Sequence, residues 1–239
     1  MIYNKASRLL DAINREMDTP LHCAVRAGNI GMVSCLIELA AGEQNYHHGA
    51  RWKVKDLLRR TNKHEETVLH RTIRSGNKML LEKLMSEDPE LVCVPKDGAS
   101  PLYLAIALRC WDIVFESELL VASFKKFSYF GPCGQNVFHI AVLSERGLEK
   151  LLEICRRENL PFLHLIEQDD QHGATPLHMA ASADDWKISF SSMNAYYMIR
   201  HLGSSWCVLR HMTREGPTKL LIQVNESSLY QPDKWDCTP

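Results

Sequence analysis

The sequence lacks the short motifs by which many enzymes are recognised. It contains no G-x-S-x-G, no P-loop G-x-x-x-x-G-K, no H-E-x-x-H and no glycine triplet of the kind that binds dinucleotides. Cys155 has no evident histidine partner in the sequence. From these missing motifs we expect a protein that is not an enzyme, with no catalytic residue, no cofactor and no metal site.

Strong charge and long apolar runs are also missing. The formal net charge of −1 at pH 7 gives no electrostatic basis for binding nucleic acid. Residues 1–5 are not followed by the apolar run of a signal peptide. Charged residues interrupt the apolar stretches within about ten residues, whereas a bilayer requires about 20, so we expect no direct membrane insertion by this chain.

The cysteines do not form a recognisable pattern. All eight are scattered, without a C-x-x-C pair. Cys23 and Cys35 fall where a helical repeat places small buried residues. The sequence therefore predicts reduced, buried thiols in the cytosol rather than a disulfide framework.

What the sequence does contain is a recurring tetrapeptide. Thr-Pro-Leu-His occupies residues 19–22 and returns at 175–178, with degraded copies at 67–70, 100–103 and 136–139. The copies start at 19, 67, 100, 136 and 175, so the intervals are 48, 33, 36 and 39 residues. Such recurrence predicts one supersecondary unit stacked on copies of itself.

The residue types of the motif indicate a helix start. Thr or Ser can cap a helix with its hydroxyl, and Pro suits the first helical position. Gly28 and Gly76 follow where a left-handed helix end is expected, before a second helix with apolar residues at helical spacing. We assign a structural role to the motif residues Thr19, Pro20, Leu21, His22, Thr67, His70, Ser100, Pro101, His139, Thr175, Pro176, Leu177 and His178.

The motif histidines raise the question of a metal site. They occur once per repeat, and stacking would space them about 10 Å apart. That spacing is too wide for one Zn²⁺ with bonds of about 2 Å. We therefore interpret them as making a hydrogen bond within the repeat that ties the loop to the helix.

The repeat register divides the chain into four segments. Residues 1–18 resemble a partial repeat, 19–182 hold the repeats, 183–215 are an irregular insertion, and 216–239 resemble a repeat end with the truncated start of another. The insertion is either a retained intron or a functional loop. An array cut within a repeat at both ends would expose apolar faces, so we expect possible self-association there.

A shorter insertion lies between Ala40 and Leu57. It predicts a surface loop followed by a helix extension over Trp52–Leu58. The pair His47-His48 within it either binds metal adventitiously or lies in a solvated loop.

A period of about 33 residues with a T-P-L-H-x-A core resembles the ankyrin repeat. The Ala of the core follows at Ala24, Ala105, Ala141 and Ala180. The resemblance implies an all-α fold, an ankyrin-repeat solenoid of stacked helix-turn-helix units with short β-hairpin loops.

Longer stretches resemble plant ankyrin-repeat proteins of the accelerated-cell-death type. They are residues 57–62 (L-L-R-R-T-N), 67–70 (T-V-L-H), 88–91 (D-P-E-L) and 98–105 (G-A-S-P-L-Y-L-A). In that family the array precedes a membrane domain with a Pro-Gly-Gly motif, which this sequence does not contain. The resemblance implies defence or stress signalling, and a position on the cytoplasmic side of the plasma membrane or another membrane for the full-length protein.

Several positions depart from the family pattern. Met17, Glu65 and Asp236 replace loop glycines, and Arg109 and Glu145 replace the helix-end glycine. Each replacement forces a side chain toward positive φ or changes the turn, which costs about 1 kcal/mol. We therefore expect an array that is less stable than one with a regular repeat sequence.

Together these features predict a non-catalytic protein-protein interaction scaffold. The alternative is a regulatory cytosolic domain of a membrane transport or signalling protein whose transmembrane part is missing. Stacked repeats bind partner proteins through their loop tips and first helices, although each tip side chain could instead be simply solvated. The predicted partner-binding residues are His64, Glu65, Glu66, Lys96, Asp97, Gln135, Gln171 and His172.

Overall fold

The computed structural model describes residues 10–42, 50–95, 98–116, 119–126, 128–144 and 147–182. These residues belong to two compact units, one within 1–105 and 110–128 and the other within 106–109 and 129–239. The predicted insertion at 183–215 and the segment 216–239 lie outside the described residues. The same holds for most of the predicted partial repeat at 1–18, and for Lys96 and Asp97.

A helix begins at the second residue of each motif. The first residue of the motif caps that helix, and proline, where it is present, suits the first helical position. In chain order the α-helices are α1 Pro20–Arg26, α2 Ile30–Gly42, α3 Ala50–Arg59, α4 Val68–Ser75, α5 Lys78–Glu87, α6 Pro101–Ala107, α7 Trp111–Glu116, α8 Leu119–Lys125, α9 Val137–Ala141, α10 Gly147–Arg157, α11 Leu163–Glu167 and α12 Pro176–Ser182. Short 3₁₀ helices occupy Pro89–Cys93 and Pro132–Gly134. Helices α1, α4, α6, α9 and α12 are thus the first helices of the repeats.

A third helical segment follows the second helix in each of the first four repeats. The segments are α3, the 3₁₀ helix Pro89–Cys93, α8 and α11. The sequence predicted only the first of these, as an extension over Trp52–Leu58. In the structure it is a separate helix, α3, which packs against α2.

A buried carboxylate holds α3 in place. Asp88 is fully buried and receives two hydrogen bonds from Arg59 of α3, at 2.5 and 2.9 Å, while Lys55 lies 3.6 Å away. Burial alone would raise the pKa of Asp88, but the Arg59 hydrogen bond and charge outweigh it, so the pKa is lowered. The insertion helix is therefore attached by a charged pair as well as by apolar packing.

The core lies between the helices of each unit. In the first unit α1 packs against α4, and Leu21, Leu69 and Ile73 are among the side chains that are almost fully buried there. Burial of a side chain of this size contributes about 1.5–3 kcal/mol. In the second unit α9 packs against both α10 and α12, around buried residues that include Phe138 and Leu177.

Two expectations about burial differ from the structure. Met79 follows the helical spacing of the apolar residues in its second helix, but it is 67% exposed because it lies in the first turn of α5, ahead of the buried Leu80 and Leu84. Cys23 and Cys35 were predicted to be buried, but Cys23 is only partly buried and Cys35 is exposed, as is Cys133. Of the cysteines in the described residues, Cys155 is buried, and burial raises the pKa of its thiol to about 12.

The loops before the motifs are tight turns. No strand forms in the described residues, where Phe130 and Asn136 make an isolated antiparallel bridge. Met17, Glu65 and Arg109 have φ of 58°, 60° and 57°, as their replacement of glycine predicted. Cys133 and Asn159 also have positive φ, which the sequence analysis did not anticipate. Glu145 and Asp236 lie outside the described residues.

Within the described residues, none of the helices combines the length and the apolar character that crossing a bilayer requires.

Candidate functional site

Each motif histidine closes the start of its helix. In the first repeat, the backbone N–H of Thr19 donates to Nδ1 of His22 at 3.3 Å, and the Thr19 hydroxyl lies 2.9 Å from the same nitrogen. The backbone N–H of His22 donates back to Thr19 Oγ1 at 3.4 Å. This is a capping box in which His takes the place usually held by Glu or Gln. It satisfies amides at the helix start that would otherwise be buried without an acceptor.

The other ring nitrogen reaches the neighbouring repeat. His22 Nε2 lies 3.2 Å from the carbonyl oxygen of Glu66, and His70 Nε2 lies 2.9 Å from that of Ala99. In the second unit His139 Nε2 lies 3.0 Å from the carbonyl oxygen of Ala174. The sequence predicted a bond within the repeat, whereas these histidines also bond to the next turn along the chain.

The geometry determines the protonation state of these rings. Nδ1 accepts from a backbone N–H, so the single proton of the neutral ring is on Nε2, which donates to a carbonyl. Burial is the main cause that lowers the pKa of His70 and of His139 to about 4, and a proton on Nδ1 would also displace the backbone donor. The pKa of His22 is lowered for the same reason.

The degraded motifs keep the cap with other residues. In the fourth repeat Asn136 replaces Thr, and its side chain accepts from the backbone N–H groups of Phe138 and His139. In the third repeat the hydroxyl of Ser100 accepts from the backbone N–H of Tyr103 at 3.2 Å, and the buried Tyr103 stands where the other repeats have His. The helix start is therefore retained although the tetrapeptide is not.

A residue five positions before the motif Thr organises each of three turns. Asn14 Oδ1 accepts from the backbone N–H groups of Glu16 and Asp18, at 2.8 and 2.9 Å. Asn62 and Asp170 make the equivalent pairs of hydrogen bonds in their turns. These residues were not among the predicted ones, although an Asn or Asp at a constant distance from Thr is a recognisable turn signal.

Neighbouring turns of the first unit contact each other at their tips. The backbone N–H of Lys63 donates to the carbonyl oxygen of Glu16 at 3.0 Å, and the side chains of Lys63 and Glu16 form an ion pair. In the second unit the N–H of Gln171 donates to the carbonyl oxygen of Cys133 at 2.9 Å. The tips thus form ordered surfaces within each unit.

The structure distributes the predicted partner-binding residues unevenly. His64 and Glu65 are exposed at one tip and Gln171 at another, while Gln135 and His172 are partly exposed. Glu66 differs from the prediction, because it is buried and paired with Arg74 at 2.6 Å. The reason is its position beside the motif Thr, which turns its side chain toward the first helix rather than toward the tip.

Glu66 and Asp18 belong to a buried charged network that the sequence did not reveal. Asp18 accepts hydrogen bonds from Arg26 Nη1 and Asn62 Nδ2, both at 3.0 Å. Arg71 lies between the two carboxylates, with nitrogens 3.6 Å from Asp18 and 3.4 Å from Glu66. Burial would raise the pKa of Asp18, but the Asn62 hydrogen bond and the charge of Arg71 lower it overall.

Comparison with known proteins identifies this fold. The ankyrin repeat family model matches residues 17–45, which hold the first motif with α1 and α2. The human ASB11 ankyrin repeat domain superposes with a TM-score of 0.54 at 14% sequence identity, over 99% of this chain and 88% of that chain. This chain has the ankyrin-repeat fold. The predicted all-α ankyrin solenoid is confirmed.

A second solved structure has the same fold. It is that of the Bd0816 predatory endopeptidase from Bdellovibrio bacteriovorus in complex with the immunity protein Bd3460, with a TM-score of 0.55 and 16% identity over 95% of this ankyrin chain and 89% of that chain. At this level of identity the likeness concerns the fold alone.

Curated relatives extend the comparison to longer proteins. The transient receptor potential cation channel subfamily A member 1 of Homo sapiens is 28% identical over 194 residues, covering 72% of this chain and 17% of the channel. Its counterpart in Drosophila melanogaster is 23% identical over 180 residues, covering 74% of this chain and 14% of the channel. This chain thus spans less than a fifth of the length of these relatives.

Proposed function

We propose that this ankyrin array is a non-catalytic scaffold that binds a partner protein through its hairpin tips. The observation that supports the proposal is the fixed geometry of those tips. Exposed side chains such as His64 and Gln171 project from turns that Asx hydrogen bonds and the motif histidines His22 and His139 hold in place. A surface that is ordered before binding loses less conformational entropy when a partner docks.

The motif histidines favour binding over catalysis. In the first, second and fourth repeats both ring nitrogens are engaged with backbone groups, so neither is available to take a proton from a substrate. Their role is to stabilise the surface that carries the tips.

The test is a binding measurement with a purified partner. Cross-linking and mass spectrometry on the tagged chain in its native cells would identify partners and the residues they contact. For a purified partner, the double variant His64→Ala/Glu65→Ala or the single variant Gln171→Ala should weaken binding about tenfold, as loss of an interface hot spot does. Glu82→Ala and Glu153→Ala, at exposed positions of α5 and α10, are matched controls. Equal affinity for the tip and control variants would refute the use of the tips.

The cation-channel relatives favour a second proposal. Here the array is a regulatory cytosolic domain of a larger membrane transport or signalling protein, with the tips facing a regulatory partner. The support is the 28% identity over 194 residues to a protein named as a cation channel. Membrane fractionation of native cells with an antibody against the array tests it. Recovery of all the antigen in the high-speed supernatant would contradict this proposal while leaving the scaffold proposal intact.

The finer expectations from the plant resemblance stay predictions. They are the accelerated-cell-death type, the role in defence or stress signalling and the location at the plasma membrane. Induction of the transcript by salicylate in the source organism would support them.

A further inference from the structure

Three arginines and two carboxylates alternate across the first helices of two repeats. Arg26 at the end of α1 pairs with Asp18, Asp18 lies near Arg71 of α4, Arg71 lies near Glu66, and Glu66 pairs with Arg74. We call these five residues the arginine row. The row connects α1 to α4, two helices that pack against each other in the first unit.

The central arginine has unused hydrogen-bonding capacity. Arg26 donates to Asp18 at 3.0 Å, and Arg74 donates to Glu66 at 2.8 Å from Nε. Arg71 makes two longer ion pairs, at 3.6 and 3.4 Å, and its buried Nε has no hydrogen-bond partner within the described residues. A guanidinium carries five donors, and a buried donor without an acceptor is unfavourable. An outside acceptor cannot reach this enclosed Nε, but the Nη atoms of the partly exposed side chain also make no hydrogen bond within the described residues, so an acceptor at the Nη atoms would stabilise Arg71.

The net charge of the arginine row favours a negatively charged acceptor. Three guanidinium groups face two carboxylates, which leaves one positive charge in excess. His22 adds no charge near neutral pH, because burial lowers its pKa. The adjoining tips are balanced, since Arg15 and Lys63 accompany Glu16 and Glu65. A single extra positive charge is matched by one carboxylate, whereas nucleic acids and anionic bilayers require several.

We propose that the arginine row binds an acidic segment of a partner protein, with one Asp or Glu side chain of the partner accepting hydrogen bonds from Arg71. This inference rests on the proposed protein-binding function and specifies its chemistry. The side chain of Arg71 is 20% exposed and that of Arg26, on the other side of Asp18, is 54% exposed, so a ligand can reach the arginine row. An arginine offers a carboxylate two parallel hydrogen bonds, which a lysine cannot do.

The probe is a short labelled peptide of alternating Ser and Glu with both ends blocked, compared with the same peptide carrying Gln. The full chain should bind the Glu peptide at least about tenfold more tightly, and added salt should weaken the interaction. Arg71→Gln should abolish this preference, and Arg71→Lys should restore it only in part. Arg157→Gln, at an exposed position of α10 where Arg157 pairs with Glu158, is the control and should change nothing.

A second measurement keeps the proposal testable if Arg71→Gln does not fold. In the unaltered chain, the Nε–H resonance of Arg71 should shift during titration with the Glu peptide and stay in place with the Gln peptide. Equal binding of the two peptides, or an unmoved Arg71 resonance, would overturn the inference. If partner binding still depended on His64 and Glu65 in that case, the scaffold proposal would stand without it.

Discussion

The imidazole of His70 donates from Nε2 to the carbonyl oxygen of Ala99 at 2.9 Å, while its Nδ1 accepts from the N–H of Thr67 at 3.2 Å. One side chain therefore fixes the start of its own helix and the turn of the next repeat. The ring is buried, so water cannot replace either bond when the side chain is lost.

His70→Phe should lower the free energy of unfolding by about 2–4 kcal/mol, because it leaves the Thr67 amide and the Ala99 carbonyl without a partner while keeping the apolar volume. Urea unfolding followed by circular dichroism measures the change. His64→Phe is the control, since His64 is exposed at a tip and should alter stability by less than about 0.5 kcal/mol. Equal losses in both variants would contradict the buried bridge.

Acid should destabilise the array in a defined range of pH. The folded pKa of His70 and His139 is about 4, below the value of about 6.5 for an unfolded histidine. The folded state is therefore fully favoured above about pH 6.5, and its advantage is lost as the pH falls toward about 4, on the order of 3 kcal/mol per histidine.

The measurement is the urea midpoint at intervals between these two pH values. His70→Gln should flatten the slope, because a glutamine binds no proton in the unfolded state. A slope unchanged by that variant would contradict the assignment to His70. The Asp18 and Asp88 carboxylates, whose pKa values are lowered, lose their stabilising effect only at more acidic pH.

The ion pair Arg59–Asp88 should contribute more to the stability of the fold than the neighbouring ion pair Arg60–Asp11. Arg59→Met leaves the buried Asp88 without its main partner and should destabilise the fold by about 3 kcal/mol. Arg60→Met removes an ion pair whose side chains are 40% and 63% exposed, and should cost less than about 1 kcal/mol.

Hydrogen exchange across α3 provides the local readout. The backbone amides of α3 should exchange faster in Arg59→Met, and their exchange rates should be unchanged in Arg60→Met. Retention of full protection in Arg59→Met would show that apolar packing alone attaches α3.

Backbone strain can be measured with a set of single substitutions. Gly76 has φ of 67° and open space where a Cβ would lie, so Gly76→Ala should cost about 1 kcal/mol through the backbone alone. Arg109→Gly, at φ of 57°, should instead stabilise by about 0.5–1 kcal/mol. Gly31→Ala, within α2 at a normal φ, is the control and should be neutral or stabilising. Melting temperatures that fall for all three variants would contradict this account.

The parts of the fold that are determined locally could be predicted from the sequence. The helix starts follow from Thr19 and its counterparts because a cap depends on residues within one turn. Positive φ at Met17 and Glu65 followed from their place in the turn. The burial of Glu66 could not be predicted, because its partners Arg71 and Arg74 lie on a helix face whose orientation depends on packing.

The candidate site was predicted only in part for the same reason. The exposed tips follow from turn positions, and His64 and Gln171 lie there as expected. The under-bonded state of Arg71 depends on distances between residues of two repeats, which no periodicity encodes. The third helical segments were missed because α8 and α11 are short and carry no motif of their own.

The hydrogen bonds of the motif histidines fix one tautomer in the first, second and fourth repeats. A buried imidazole whose Nδ1 accepts a hydrogen bond and whose Nε2–H donates to a carbonyl oxygen gives a slowly exchanging Nε2–H signal. This signal is resolved from those of the backbone amides in a proton spectrum. Because His22, His70 and His139 belong to different repeats, their signals would vanish one at a time if the array opened stepwise and together if it opened as one unit. Each of these three histidines therefore reports on the opening of its own repeat, and the order in which the repeats open can be followed without any added label.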